Sequence, residues 1–104
     1  MKTISDLQYE IEELEMKYPN RTETYAVGGG DWSIEVYDYN NVLLNEFVGS
    51  NGTLNDEEPA DLWGEYDAWE TEYTKQLDEQ INELKNKIIE ITQHQLIVDT
   101  INNL

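Results

Sequence analysis

The residue types that could do chemistry are few, and none stands in the pattern its chemistry needs. The chain has 104 residues, no cysteine and one histidine, His94, set among Thr92, Gln93 and Gln95. Thiolate catalysis, a disulfide frame and a Cys-ligated zinc are therefore excluded. A lone histidine brings neither the nucleophile nor the orienting group of a catalytic triad. Gly28-Gly29-Gly30 could cradle a phosphate, but no Lys-Ser/Thr follows it and no helix starts there, so it reads as a turn between strands. A calcium loop needs acids at alternate positions, a central glycine and a closing glutamate. Neither Asp38-Tyr39-Asn40-Asn41 nor Asn55-Asp56-Glu57-Glu58 has that order. Paired carboxylates could hydrolyse a glycosidic bond, but 104 residues leave little room for a sugar cleft. The expectation is a protein that is not an enzyme, with no catalytic residue, metal or cofactor.

What the chain has in abundance is carboxylates. It carries 23 Asp and Glu against 6 Lys and Arg, a net charge of −17. Nucleic acid and anionic membranes would repel it, so direct binding to either is not expected. The charge is uneven: residues 1–74 hold 3 basic and 18 acidic residues, whereas residues 75–104 hold 3 basic and 5 acidic. From Thr22 to Thr74 there are 13 acids and no cation. Solubility patterning intersperses both signs, so this is something else. Nor is it a disordered acidic tail, because Trp32, Ile34, Val36, Phe47, Trp63 and Trp69 lie inside it. The acids decorate structured elements and should form a rigid negative face for a basic partner. On a hairpin, Asp31, Glu35 and Asp38, with Glu46, are the candidate partner-binding residues. On the following helix, Glu58, Asp61, Glu65 and Glu72 can form a row at spacings that stack on one side. Asp56, Glu57, Asp67 and Glu70 flank that row. Trp63 sits partly off the apolar stripe and is the candidate aromatic anchor.

The elements that must hold these residues follow from periodicity. Ile4, Leu7, Ile11, Leu14 and Tyr18 recur every three or four residues, one stripe of an amphipathic helix. Ser5 with Gln8, or Thr3 with Asp6, can cap its start, and Pro19-Asn20 ends it. Thr22–Val27 reads as a short strand. Trp32–Tyr39 and Val42–Val48 read as two more, joined by a tight two-residue turn at Asn40-Asn41. In that register Trp32, Ile34, Val36, Leu43 and Phe47 share the core face. From Asn55 to Pro59 a helix starts, and Leu62, Tyr66, Trp69, Tyr73, Leu77, Ile81, Leu84, Ile88 and Ile91 continue at spacings of three and four. This is one long helix, or two broken near Gly64 or Thr71–Thr74. The expected class is α+β in a single domain of residues 1–104: an N-terminal helix, a small three-stranded antiparallel sheet, then two or more helices including a long amphipathic C-terminal one. In the nearly neutral segment after residue 74, Leu77, Ile81, Leu84, Ile88 and Ile91 are the candidate self-association residues and a candidate homodimer seam.

With the acid-rich stretch from Asn55-Asp56-Glu57-Glu58 through Glu65-Tyr66-Asp67-Ala68-Trp69-Glu70-Thr71-Glu72-Tyr73 behind a helix and three strands, the chain resembles small acidic phage or mobile-element proteins that mimic DNA. Among them the type II anti-CRISPR inhibitors of Cas9 are most similar in element order and charge placement. The resemblance is not one of motif, and no functional residue is carried over by it. It implies stoichiometric, non-catalytic blocking of the Arg-lined groove that reads the protospacer-adjacent motif. A restriction enzyme or another host defence protein is an alternative target. A phage structural, assembly or adaptor protein that oligomerises through its C-terminal helix is the alternative role. No apolar run follows Met1, so no secretory signal is expected, and no stretch reaches the roughly 20 apolar residues of a membrane span. A cytoplasmic location, in a bacterial host if the chain is phage-encoded, is the corresponding expectation.

Overall fold

The structure, a computed structural model, describes residues 2–28, 31–50 and 60–103. Helix α1 (Ile4–Glu15) is followed by strands β1 (Arg21–Gly28), β2 (Asp31–Tyr37) and β3 (Leu43–Ser50) and by helix α2 (Ala60–Asn102). The α+β class is the one expected from sequence, as is the order of an N-terminal helix, a three-stranded antiparallel sheet and a long C-terminal helix. The chain divides into two compact units: residues 16–75, and residues 1–15 with 76–104.

Of the two candidate caps for α1, the structure uses Thr3 with Asp6. The Thr3 amide donates to Asp6 Oδ2 at 3.0 Å, and the Asp6 amide donates to Thr3 Oγ1 at 3.1 Å. This reciprocal capping box satisfies two amides that the first turn leaves without helical partners. Accepting the Thr3 amide also holds the Asp6 carboxyl below its usual value. The helix stops at Glu15, earlier than the apolar spacing to Tyr18 implies. Pro19 disfavours helical geometry in the residue before it, and the carbonyls beyond Glu15 are used elsewhere. Met16 O accepts from the Tyr39 amide, and Lys17 O from the Tyr73 hydroxyl.

In the first unit the antiparallel sheet has the order β1-β2-β3, so β2 is central. Its core face carries Trp32, Ile34 and Val36 from β2 and Phe47 from β3; Ile34 and Val36 are fully buried. The first turns of α2 cover this face with Tyr66 and Trp69, whose rings lie 6.0 and 5.8 Å from Phe47, edge to face. Trp69 stacks on Tyr73 at 4.8 Å. Gly49 lets β3 approach closely: a β-carbon there would lie 3.1 Å from Leu62 Cδ2.

Leu43 does not share the core face as the register read from sequence expected. Tyr37 pairs with Leu43 and Val36 with Asn45, so Leu44 is an extra residue that shifts the alternation. Leu43 is thereby turned onto the outer face and is exposed.

The turn also differs from a two-residue hairpin. The Asn41 amide donates to Asp38 O, the Asp38 amide donates to Val42 O, and only Asn41 has a positive φ, 62°. That is a three-residue loop closed by a left-handed residue. Asp38 organises it. Its side-chain Oδ1 accepts the amides of Asn40 at 2.8 Å and Val42 at 3.0 Å, and the residue is only 3% exposed. Removing a buried, charged acceptor strands two amides. Asp38→Ala is therefore expected to cost about 2–3 kcal/mol in chemical denaturation, and Asp38→Asn, which keeps the acceptor oxygen, clearly less. Equal losses for the two variants would contradict this role.

α2 is one continuous helix of 43 residues rather than two or more. Neither suspected break interrupts it. The hydroxyls of Thr71 and Thr74 bond back to the carbonyls of Asp67 and Glu70, one turn earlier. A glycine such as Gly64 costs about 1 kcal/mol against alanine but leaves the backbone bonds intact, and no proline lies beyond Pro59.

In the second unit α1 and the later part of α2 bury Leu7, Ile11, Leu77 and Ile81. Lys2 and Leu7 line a depression with Lys87, Glu90 and Ile91.

Candidate functional site

Strand pairing places opposite residues on the same side of a sheet. On the sheet face turned away from the aromatic core, three rows run across the strands. Glu23, Glu35 and Glu46 form the middle row. Tyr25, Ser33 and Val48 form the row on one side, and Arg21, Tyr37 and Leu43 the row on the other. Tyr25, Val48 and Leu43 are exposed, and Ser33 lies fully buried between Tyr25 and Val48. Asp31, at the start of β2, shares this face and is half-buried.

The middle row is a ladder of three carboxylates at the spacing of neighbouring strands, about 4.7–4.9 Å. Like charges directly opposite each other destabilise a sheet. Charges on edge strands protect those edges from unwanted pairing, but Glu35 is on the central strand, where that return is absent. Local partners offset the repulsion only in part. Arg21 bridges to Glu23 at 2.6 Å and lies 4.0 Å over the Tyr37 ring. Ser33 Oγ donates to Glu46 at 3.3 Å. Burial and a hydrogen bond with Glu35 push the Tyr37 hydroxyl above its usual value.

The structure does not gather the sequence-derived set into one face. Asp31 and Glu35 belong to the ladder face. Asp38 is committed to the turn and is withdrawn from solvent, which corrects its assignment to a partner surface. Asp56, Glu57 and Glu58 lie outside the described residues, and Asp61 falls in the first turn of α2. Glu65 and Glu72 are exposed two turns apart on one flank of the aromatic stripe. Asp67 and Glu70 lie on its other flank. Glu70 is half-buried and hydrogen-bonded to Tyr66. Trp63 is half-buried edge-on to Tyr66 at 5.6 Å, so it extends the core rather than standing free as an anchor. Glu23 was missed by sequence reasoning. The alternation Arg21-Glu23-Tyr25 could have placed it on the Glu35 side, had the pairing of β1 been legible.

The candidate self-association stripe is partly covered within the chain. Leu77 and Ile81 are buried, and Leu84, Ile88 and Ile91 half-buried. That is expected for residues on the side of α2 that meets α1.

Burial raises Tyr66 and Tyr73 above the ordinary tyrosine value, helped in Tyr66 by the Glu70 hydrogen bond and in Tyr73 by the Asp38 charge. A folded-state value above the unfolded one, about 10, gives stability that is complete below pH 10 and lost as pH rises through the folded values. The melting temperature should fall above about pH 10. Tyr66→Phe keeps the ring and removes the ionisation, so its decline should be shallower. Superimposable alkaline profiles would contradict the assignment.

No metal-holding group of three or more His, Cys, Asp or Glu occurs among the described residues, and no described helix is long and apolar enough to cross a membrane. None of the known protein-family models, curated proteins or solved structures matches the chain.

Proposed function

We propose that this chain is a non-catalytic acidic inhibitor that occupies the basic nucleic-acid groove of another protein, presenting carboxylates where that protein ordinarily meets phosphates. The observation that carries the reading is the Glu23–Glu35–Glu46 ladder, three like charges opposite one another across the sheet and flanked by exposed Tyr25 and Val48. Carboxylates on strands have their backbone fixed before binding, and a net charge of −17 steers a basic partner toward them. The resemblance to DNA-mimicking anti-CRISPR proteins makes a CRISPR nuclease, Cas9 first, the favoured target. The test is a titration of guide-loaded Cas9, and in parallel of a restriction endonuclease, with cleavage as the readout. Inhibition that saturates near one chain per enzyme and is relieved by excess duplex DNA is the expected result. Undiminished cleavage in both arms would turn the reading toward an assembly or adaptor role, which the exposed apolar end of α2 favours.

A further inference from the structure

The last turns of α2 carry a second apolar stripe that nothing in the described chain covers. Ile89, Leu96, Ile97 and Ile101 are 51, 66, 58 and 60% exposed. At 3.6 residues per turn they fall on one side of the helix, about half a turn around from the stripe that runs from Leu77 to Ile91. The stretch also outruns its support. The start of α1 lies beside Lys87–Ile91, and residues 92–97 beyond it are all exposed. A few unsupported turns bearing exposed isoleucine and leucine are marginal on their own, because helical stability comes mostly from packing an apolar face.

We infer that a second copy of this chain covers the stripe formed by Ile89, Leu96, Ile97 and Ile101. Charge selects the occupant. Two chains of net −17 repel over most of their surface, but residues 85–103 hold two cations, Lys85 and Lys87, and two acids, Glu90 and Asp99, and are neutral. Here alone can a long stretch of the chain meet its own copy without that repulsion. A basic partner would be drawn instead to residues 1–74, with their 18 acids. The contact is isologous, each stripe meeting the same stripe. Four apolar side chains per copy make a modest seam, so the dissociation constant should be on the order of 10–100 µM. Salt has opposite effects on the two surfaces: it screens the repulsion and strengthens the dimer, while weakening any partner held by the ladder.

Sedimentation equilibrium of the full chain from about 1 µM to about 1 mM spans that constant. The weight-average mass should rise from the 12.2 kDa of one chain toward twice that value. The Leu96→Gln, Ile97→Gln, Ile101→Gln variant should weaken the dimer by at least about tenfold. Gln93→Glu, at an exposed position on the same side of α2, sets an added negative charge on each copy in the seam and should also weaken the dimer. This single change tests the seam even where the triple variant loses helix. A chain that stays at 12.2 kDa throughout, or a dimer that the triple variant and Gln93→Glu leave intact, overturns the inference. A monomer whose stripe is covered only when a different protein is added overturns it as well.

Discussion

Phe47→Ala is expected to destabilise the unit of residues 16–75 by about 3–5 kcal/mol. Phe47 stands opposite Ile34 in the sheet and meets both Tyr66 and Trp69 edge to face. No other side chain joins β3 to two aromatic rings of α2 among the described contacts. Truncation removes the transfer energy of the ring and leaves a cavity that rigid aromatic neighbours fill poorly. A domain of this size is stable by roughly 5–15 kcal/mol, and self-repulsion in a −17 chain works against that stability. Urea unfolding followed by tryptophan fluorescence should show the midpoint moving sharply down. Phe47→Leu, which keeps most of the volume, should lose far less. A loss below about 1 kcal/mol for the alanine variant would mean that the helix and sheet are joined elsewhere.

Replacing all three ladder acids, Glu23→Gln, Glu35→Gln and Glu46→Gln together, is expected to act in opposite directions on stability and on binding. Relieving two like-charge cross-strand pairs should stabilise the sheet by roughly 0.2–1 kcal/mol each. Loss of the Arg21–Glu23 pair takes back part of this, since exposed ion pairs are worth about 0.2–1 kcal/mol. The net effect is a melting temperature a few degrees higher, about 4–8 °C per kcal/mol for a domain near this size. The gain should shrink with added salt, because screening already relieves the repulsion in the unaltered chain. Binding to a basic partner should fall by about a hundredfold, from roughly 1 kcal/mol for each of three charge contacts. A variant both less stable and equally well bound would show that the acids serve the fold alone.

How much of this was legible in the sequence depended on whether the signal was local. The apolar stripe of α1, the alternation of β2 and the long stripe of α2 are local periods, and each produced the element it implied. What escaped needed pairing information. The extra residue at Leu44 turns Leu43 to the other face while the pairs from Asn45 onward keep the expected register, and nothing in Val42-Leu43-Leu44 announces it. Asp38 counts as one more acid until its oxygen is seen accepting two amides. The ladder depends on β1 lying beside β2 in one register, and a shift of one residue would turn Glu23 to the other face. The continuity of α2 through Gly64 and two threonines was likewise open, because side-chain bonds to the preceding turn can accompany either a break or an intact helix. The burial of Leu77 and Ile81 within one chain escaped for a related reason. Periodicity identifies an apolar side of a helix but not what covers it, and α1 is already in the same compact unit as Leu77 and Ile81.

The most direct test of the acidic-face account compares two immobilised proteins, the unaltered chain and the folded triple ladder variant, in the same bacterial lysate containing guide-loaded Cas9. Bound proteins are eluted by raising salt from about 50 mM to about 500 mM, across which charge contacts weaken steeply. The account predicts that a basic nucleic-acid-binding protein is retained by the unaltered chain at low salt, leaves as salt rises, and is missing from the ladder variant. Equal retention by both, or retention that salt does not disturb, would contradict it.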